Sequence, residues 1–450
     1  MSTPGASPGL RHGEPRPPRG LQLAPFRGLR YVPDRVGSLS AVTSPPYDVV
    51  VRPDGLHQLE TADPHNIVRL ILPQSGDPAD RHAQAARTLR HWLEEGVLAA
   101  DPEPALYVYE QYSDASGLQR GLIGALRLTT PDEHVVLPHE DVMPEPVADR
   151  AGLMRATGAN LEPLLLAYRG DGGGDYDGSG GHGGSVTARI VERTAQQPPL
   201  LATTTEDGTR HRLWAITDPK QLAAVETDLA PRQALIADGH HRWATYLRLR
   251  DEQRRTGASG PWDRGLVLLV DTARYPLRVR AIHRVLQHMP VSRALAALQD
   301  VFQVETLPGP LPAALDALAA NKESGGNTYL LAGDGSFHLL TRPDERLIEE
   351  SVPCDRPEAW RRLDATVLHS VLIDRLWQVP DSPEHIGYVH DAMAAVRQAE
   401  RLGGTAVLLH PVPESTVLDL ARQGVMMPHK STSFGPKPAS GLVLRSLELG

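Results

Sequence analysis

The chain has 450 residues, 40% of them hydrophobic and 22% charged, enough to bury a sizeable core and, by length, to form more than one domain. A formal net charge of -9 offers no overall basic field for a phosphodiester backbone, so generic nucleic-acid binding is disfavoured. Cys354 is the single cysteine, which rules out an intramolecular disulfide and any CxxC zinc site and fits a reducing cytoplasm.

Residues 1–20 are rich in Pro, Gly and Arg. They lack the apolar stretch of a secretory signal and are expected to form a disordered tail. No apolar run approaches the roughly 18 residues that span a bilayer, so no membrane partner and a cytoplasmic location are expected. Residues 21–169 read as an α+β region. Within it, Ser44-Pro45-Pro46-Tyr47-Asp48 holds Asp48 on a stiff loop, because the two prolines forbid helix. Ile67–Leu72 reads as a strand. A helix is expected from Asp80 to Glu95, with Ala83, Ala86, Leu89 and Leu93 at helical spacing and Gly96 to stop it. Leu106–Tyr109 and Leu122–Leu128 read as antiparallel strands.

Residues 170–184, GDGGGDYDGSGGHGG, cannot bury enough apolar surface to offset their ordering entropy and are expected to be a flexible surface insertion. In the following core region, 185–290, strands Leu213–Ile216, Ala234–Ala237 and Gly265–Val270 alternate with helical stretches, one from His240 to about Arg255. The last region, 291–450, predicts helices over Ser292–Val301, Leu311–Ala320, Pro357–Leu376 and Ser415–Arg422. A hairpin over Thr328–Thr341 and a strand over Thr405–Leu409 complete it. No repeat of fixed period is present, so solenoids and propellers are disfavoured. The expected fold class is α/β, mixed with α+β portions.

Three clusters carry chemistry. In Gln233-Ala-Leu-Ile-Ala-Asp-Gly-His-His-Arg-Trp, an apolar strand stops at Asp238, Gly239 permits a sharp turn, and a helix begins at once. The first amides of such a helix lack internal partners and sit at the positive end of its dipole, while His240, His241 and Arg242 add side-chain donors. Phosphate is the expected guest, with Asp238 as a Mg²⁺ ligand or base. The plainer reading is that Asp238 only caps the helix. Adjacent histidines point about 100° apart on a helix and neither has a His or Glu partner at i+4, so the paired-histidine zinc pattern is absent.

The second cluster is Leu137-Pro-His-Glu-Asp141 followed by Asp149-Arg150, where His139 and Glu140 form an acid/base pair and Arg150 a phosphate or carboxylate clamp. The third is Met427-Pro-His-Lys-Ser-Thr-Ser-Phe-Gly-Pro-Lys437. Its Lys430, Ser431, Thr432 and Lys437, with no acidic residue between them, make a stiff loop rich in phosphate donors. Arg284, in His283-Arg284, is a further candidate donor.

Taken in order, SPPYDVV, the HE at 139–140 with the DR at 149–150, ADGHHRWAT, IHRVL and MPHKSTSFGPKPASGL resemble the DUF1015 family of uncharacterised bacterial and archaeal proteins, from about Leu21 to Leu449. The sequence departs from that pattern at Pro144-Glu145-Pro146, where a basic stretch is expected. Over Gln233 to Arg254, the Asp238–Arg242 box is similar to the phosphate-binding box of ParB-like folds, including free-serine kinases. That resemblance implies a ParB-like nucleotide-binding core, with ATP or ADP and Mg²⁺ as cofactors and phosphoryl transfer to or from a small hydroxyl metabolite, in the kinase or phosphatase direction. Glu140 or Asp48 would serve as base. Two alternatives stand beside it: a nucleotide-gated binding protein without turnover, and a metal-dependent hydrolase in which His139, His240, His241 and His283 converge.

Overall fold

The computed structural model describes residues 20–46, 55–170, 184–257, 259–322 and 326–449. Asp48, the N-terminal tail and all but the ends of the glycine-rich insertion lie outside the described residues.

The architecture is mixed α/β. Leu-, Val- and Ala-rich strands Leu164–Tyr168, Ala234–Asp238 and Arg264–Asp271 lie side by side in a nine-stranded sheet. The path of that sheet runs Val136–Leu137, Ala234–Asp238, Leu164–Tyr168, Arg264–Asp271, Gly117–Arg127, Leu106–Ser113, Arg210–Ile216, Leu201–Thr204, and Leu23–Ala24 pairs with Gly117–Arg127 off this path. Successive side chains on a strand serve opposite faces. Ala234 and Ile236 accordingly pack with Trp243, Tyr246 and Leu249 of the helix His240–Arg255. Leu235 and Ala237 pack with Leu420, Phe434 and Leu442 from the C-terminal part of the chain. A continuous apolar strand is thus explained by cover on both faces.

Two pairings at one end of this sheet bring distant parts of the chain together. Val136–Leu137 runs parallel to Ala234–Asp238, with Val136 opposite Ala234 and Leu137 opposite Leu235. On the other side Leu164–Tyr168 runs antiparallel, and the register shifts between Ile236 and Asp238 so that Asp238 faces Leu165. The chain leaving Leu137, the chain leaving Asp238 and the chain entering Leu164 therefore meet at one sheet end.

A six-stranded sheet takes its strands from the later chain, in the order Gln303–Leu307, Phe337–Thr341, Tyr329–Ala332, Thr405–Leu408, His283–Leu286, Ile386–Val389. A four-stranded sheet is ordered Leu98–Ala100, Gly28–Tyr31, Leu444–Ser446, Ala159–Asn160, and Arg278–Arg280 pairs with Ser433–Gly435. These sheets cross the linear boundaries expected from the sequence: the six-stranded sheet already includes His283, and the last strand returns to the N-terminal region.

Most expected elements have counterparts, among them Pro78–Glu94, the antiparallel pair Leu106–Ser113 and Gly117–Arg127, and the helix His240–Arg255. The expected strand at Ile67–Leu72 is instead a short helix, Val68–Ile71. Asn66 Oδ1 accepts from the Val68 amide at 3.0 Å and turns the chain, and the apolar run is buried as a helical turn. A short apolar run carries no period that separates the two states. The helix expected over Ser292–Val301 ends at Ala296, and the stretch Pro357–Leu376 breaks into two short helices and a π-helix, Leu368–Trp377. No helix among the described residues is long and apolar enough to cross a membrane.

The returning strand is held by Arg445, which is 1% exposed. Its guanidinium donates to Asn160 Oδ1 at 3.2 Å, the Arg264 carbonyl at 3.0 Å and the Pro261 carbonyl at 2.9 Å. Arg445→Ala removes three hydrogen bonds, although the Leu266 amide still donates to Asn160 Oδ1 and the Arg264 amide to the Pro261 carbonyl, and it is expected to lower unfolding free energy by about 2–4 kcal/mol, read as a shifted denaturation midpoint. An unchanged midpoint would show that the returning strand does not depend on it.

Candidate functional site

The meeting point of the three chain segments opens into a cavity of about 510 Å³, within the size range of small-molecule sites. Its wall includes Glu140 and Arg150 from the second sequence cluster, Asp238 to Arg242 from the strand-to-helix turn, and Lys430, Thr432 and Lys437 from the C-terminal loop. All three clusters thus share one cavity. The parallel register explains the first two, because His139 and Glu140 follow Leu137 just as Ala237 and Asp238 follow Leu235. The third arrives because the C-terminal segment covers the Leu235 and Ala237 face.

Gly239 makes the turn with φ 99°, and a Cβ there would lie 2.9 Å from Leu164 Cγ. That combination favours glycine on both counts. The first helical hydrogen bond runs from the Trp243 amide to the Gly239 carbonyl, which leaves the amides of His240, His241 and Arg242 ahead of the helical ladder. Asp238 is not the cap: Gly239 takes that position without a side-chain bond. Instead Asp238 Oδ1 lies 2.8 Å from Lys437 Nζ and Oδ2 lies 2.8 Å from Arg242 Nη2. Burial pushes the Asp238 pKa up, but the two cations outweigh it and hold the carboxyl below its ordinary range. Arg242 also reaches the Pro163 carbonyl at 3.2 Å.

The histidines are neutral. Burial takes His139 down to about 4 and His240 well below 6.5, and lowers His241, with Lys430 and Arg150 adding to the effect on His241. His240 Nε2 accepts the His139 amide at 3.3 Å, and His241 Nε2 accepts the Met143 amide at 3.1 Å. These contacts assign the ring proton of each to Nδ1, so Nε2 of neither is a phosphate donor. His240 Nδ1 faces Glu140 Oε2 at 3.7 Å. Glu140 Oε1 accepts from Thr432 Oγ1 at 3.2 Å. Burial raises the Glu140 pKa, with Thr432 and Lys430 opposing.

Several expected residues stand elsewhere. His139 is 1% exposed and sits behind the wall, its ring edge-on to His240 at 4.5 Å between centroids and within reach of Thr432. Ser431 is buried and outside the wall. Arg284 does not reach the cavity: it is fully buried, donating to the carbonyls of Ile282 and His429 and, at 3.2 Å, to His369 Nε2. Asp48 lies outside the described residues, although Pro46 lines the cavity. Among the described residues no group of three or more His, Cys, Asp or Glu side chains is arranged to hold a metal ion. His283 is engaged instead by the Leu409 amide at 3.3 Å, so the four histidines do not converge.

The model of a protein family described as "Protein of unknown function (DUF1015)" matches residues 23–366. The chain belongs to this family. No curated protein matches it. Among solved structures, a free serine kinase in complex with AMP is 15% identical, covering 70% of this chain and 90% of its own at a TM-score of 0.33. A conserved hypothetical protein from Pyrococcus furiosus is 15% identical, covering 70% and 94% at a TM-score of 0.32. SbnI with a C-terminal truncation from Staphylococcus aureus is 9% identical, covering 69% and 82% at a TM-score of 0.33.

The cavity of this DUF1015 protein also uses residues that the sequence did not single out. Glu162, which accepts from Ser440 Oγ at 3.2 Å, stands next to Arg242 at 4.0 Å. Its position before Pro163 and the strand Leu164–Tyr168 becomes legible only once that strand is known to flank Asp238. Tyr388 and His390 enter from the edge of the six-stranded sheet. No local pattern marks them. A direct check on the neutral histidines is NMR titration: the His139 ring is expected to stay neutral until about pH 4. Between about pH 6.5 and pH 4 the unfolded chain binds a proton that folded His139 refuses. Its contribution to stability is complete above 6.5 and falls by up to about 1.4 kcal/mol per pH unit as the pH drops through that window. An imidazole at 139 titrating near 6.5 would contradict the buried neutral assignment.

Proposed function

We propose that the cavity binds the phosphates of a nucleotide such as ATP or ADP and transfers a phosphoryl group to or from a small hydroxyl metabolite. The observation that carries this reading is that Glu140, a carboxylate with raised proton affinity, shares the cavity with the first amides of the His240–Arg255 helix and with Lys430, Lys437 and Arg150. Helix-start amides and fixed cations are what a phosphate requires. A base with raised proton affinity beside them suits deprotonation of a hydroxyl. In the forward direction the hydroxyl proton passes to Glu140 as its oxygen bonds to the transferred phosphorus and the bond to the leaving phosphate breaks. Developing charge is met by donors already in place. The ion pair with Asp238 holds the Lys437 ammonium in the cavity wall.

Asp238 is a poor fit for the Mg²⁺ expected there, because both of its oxygens already face cationic nitrogens at 2.8 Å. Magnesium keeps most of its waters and binds through one or two carboxylates and substrate phosphates. Of the other carboxylates in the wall, Glu140 is the proposed base and Glu162 faces Ser440 and Arg242, so the ion would be held chiefly by the nucleotide's own phosphates and water, and no step of the transfer runs through it.

The test incubates the protein with ATP or ADP, Mg²⁺ and a pool of hydroxy metabolites, following phosphoryl transfer by ³¹P NMR and nucleotide binding by calorimetry. Lys437→Met is expected to weaken nucleotide binding by about 10- to 100-fold, the span of a lost charge-assisted bond. Glu140→Gln is expected to keep binding and to lose turnover by about 10²- to 10⁴-fold. Turnover by Glu140→Gln at the wild-type rate removes Glu140 as base. Binding by the wild type without turnover of any acceptor would favour a nucleotide-gated binding protein.

A further inference from the structure

The phosphate donors come from the Glu140 loop, the start of the helix His240–Arg255 and the C-terminal loop, and a further part of the lining is brought in by the six-stranded sheet. Its edge strand Ile386–Val389 brings in Tyr388, with His390 just beyond, next to Ile282. Tyr388 is fixed from several directions. The guanidinium carbon of Arg284 lies 4.9 Å from its ring centroid, and the His429 ring stands edge-on at 5.8 Å. Its hydroxyl donates to Asp381 Oδ1 at 3.1 Å. With the hydroxyl committed to Asp381 and one face of the ring covered by Arg284, what Tyr388 lends the cavity is its remaining aromatic surface.

Arg284 explains why the ring is held so firmly. It is completely buried, its bonds go to two carbonyls and to His369, and no carboxylate pairs with it among the described residues. Buried charges are ordinarily paired. Here the electron-rich face of Tyr388 serves as the compensating surface, so ring and guanidinium hold one another in place. An aromatic ring fixed in this way in the lining of a cavity that also carries phosphate donors is suited to a ligand that has both an anionic part and a flat one.

We propose that the wall formed by Ile282, Tyr388 and His390 is a stacking subsite for the nucleobase of the nucleotide. This rests on the reading of the cavity as a nucleotide site and adds to it where the base lies. Aromatic stacking on a base tolerates any base identity, since each has a π-face, so the subsite supplies affinity for a base without selecting one.

Binding of ATP and of inorganic tripolyphosphate, which carries the charge without the base, separates the two parts of the wall. Both are titrated calorimetrically into the full chain and into Tyr388→Leu and Tyr388→Phe in Mg²⁺ buffer. Tyr388→Leu is expected to weaken ATP about tenfold or more, the effect of losing one base–aromatic contact, and to leave tripolyphosphate unchanged. Tyr388→Phe, which keeps the ring, is expected to bind ATP as the wild type does. Equal loss for both ligands in Tyr388→Leu, or no loss for either, overturns the stacking subsite. Wild-type protein that binds neither ligand overturns the nucleotide reading itself. Saturation-transfer NMR on the wild type needs no variant: the strongest transfer is expected at the base protons of ATP, and transfer confined to the ribose overturns the proposal.

Discussion

Asp238 sits where a strand end, a helix start and a distant loop come together, and its carboxylate is what joins them. One oxygen faces Lys437 and the other faces Arg242, each at 2.8 Å, so residues 195 positions apart in the chain are fixed to the two oxygens of one side chain. The three groups are only partly exposed, at 24%, 19% and 16% for Asp238, Lys437 and Arg242. Removing one member of such a cluster leaves the others desolvated and uncompensated, which is far costlier than breaking a pair at the surface. The helix start, the cavity wall and the C-terminal loop therefore depend on one ionised carboxylate. Asp238 stays ionised because its two cations more than offset its burial.

That arrangement divides the polar groups of the cavity into two kinds. Cationic character comes from Lys430, Lys437, Arg150 and Arg242, and the helix amides add donors. The histidines, which the sequence offered as donors, are neutral and spend their Nε2 atoms accepting backbone amides from the 139–143 segment. They tie the Glu140 loop to the helix instead of contacting a ligand through those atoms. His240 and His139 also surround Glu140 with groups that carry no charge, so its raised proton affinity comes from burial and is moderated by Thr432 and Lys430. A carboxylate kept in this state next to fixed cations is the asymmetry that acid–base chemistry on a phosphorylated ligand requires.

The sequence made part of this legible. A strand ending in Asp238 and a helix opening after Gly239 are local features, written in apolar continuity and one glycine, and they hold to the residue. Donor-rich loops at 139–150 and 430–437 are visible by composition, and that they share a cavity with the helix start depends on non-local pairing: the parallel register of Val136 with Ala234 and the cover of Leu235 by the C-terminal segment. Such contacts leave no periodic trace. Arg284 shows the limit from the other side. Its residue type suggests a phosphate donor, yet its strand lies within the six-stranded sheet between two neighbours, which buries the guanidinium away from the cavity. The apolar run at Ile67–Leu72 reads as a strand but folds as a helical turn, because burial, not alternation, governs it, and Asn66 decides the turn.

The route of the last twenty residues adds a constraint on how the site is completed. Ser433–Gly435 pairs with Arg278–Arg280, the Ala439 amide donates to Tyr109 Oη at 3.3 Å, and Leu444–Ser446 is inserted between Gly28–Tyr31 and Ala159–Asn160. Lys437 is therefore fixed on both sides by pairings to strands from the earlier chain, and its register is set before any ligand arrives. Neither the helix start nor the Glu140 loop can be matched with its cation until the C-terminal segment has docked. Because that docking also buries Phe434 and Leu442 against the nine-stranded sheet, apolar burial holds the loop while the ion pair sets its orientation. The C-terminal segment is thus an integral wall of the cavity, and the geometry of the site is determined by the same contacts that close the core.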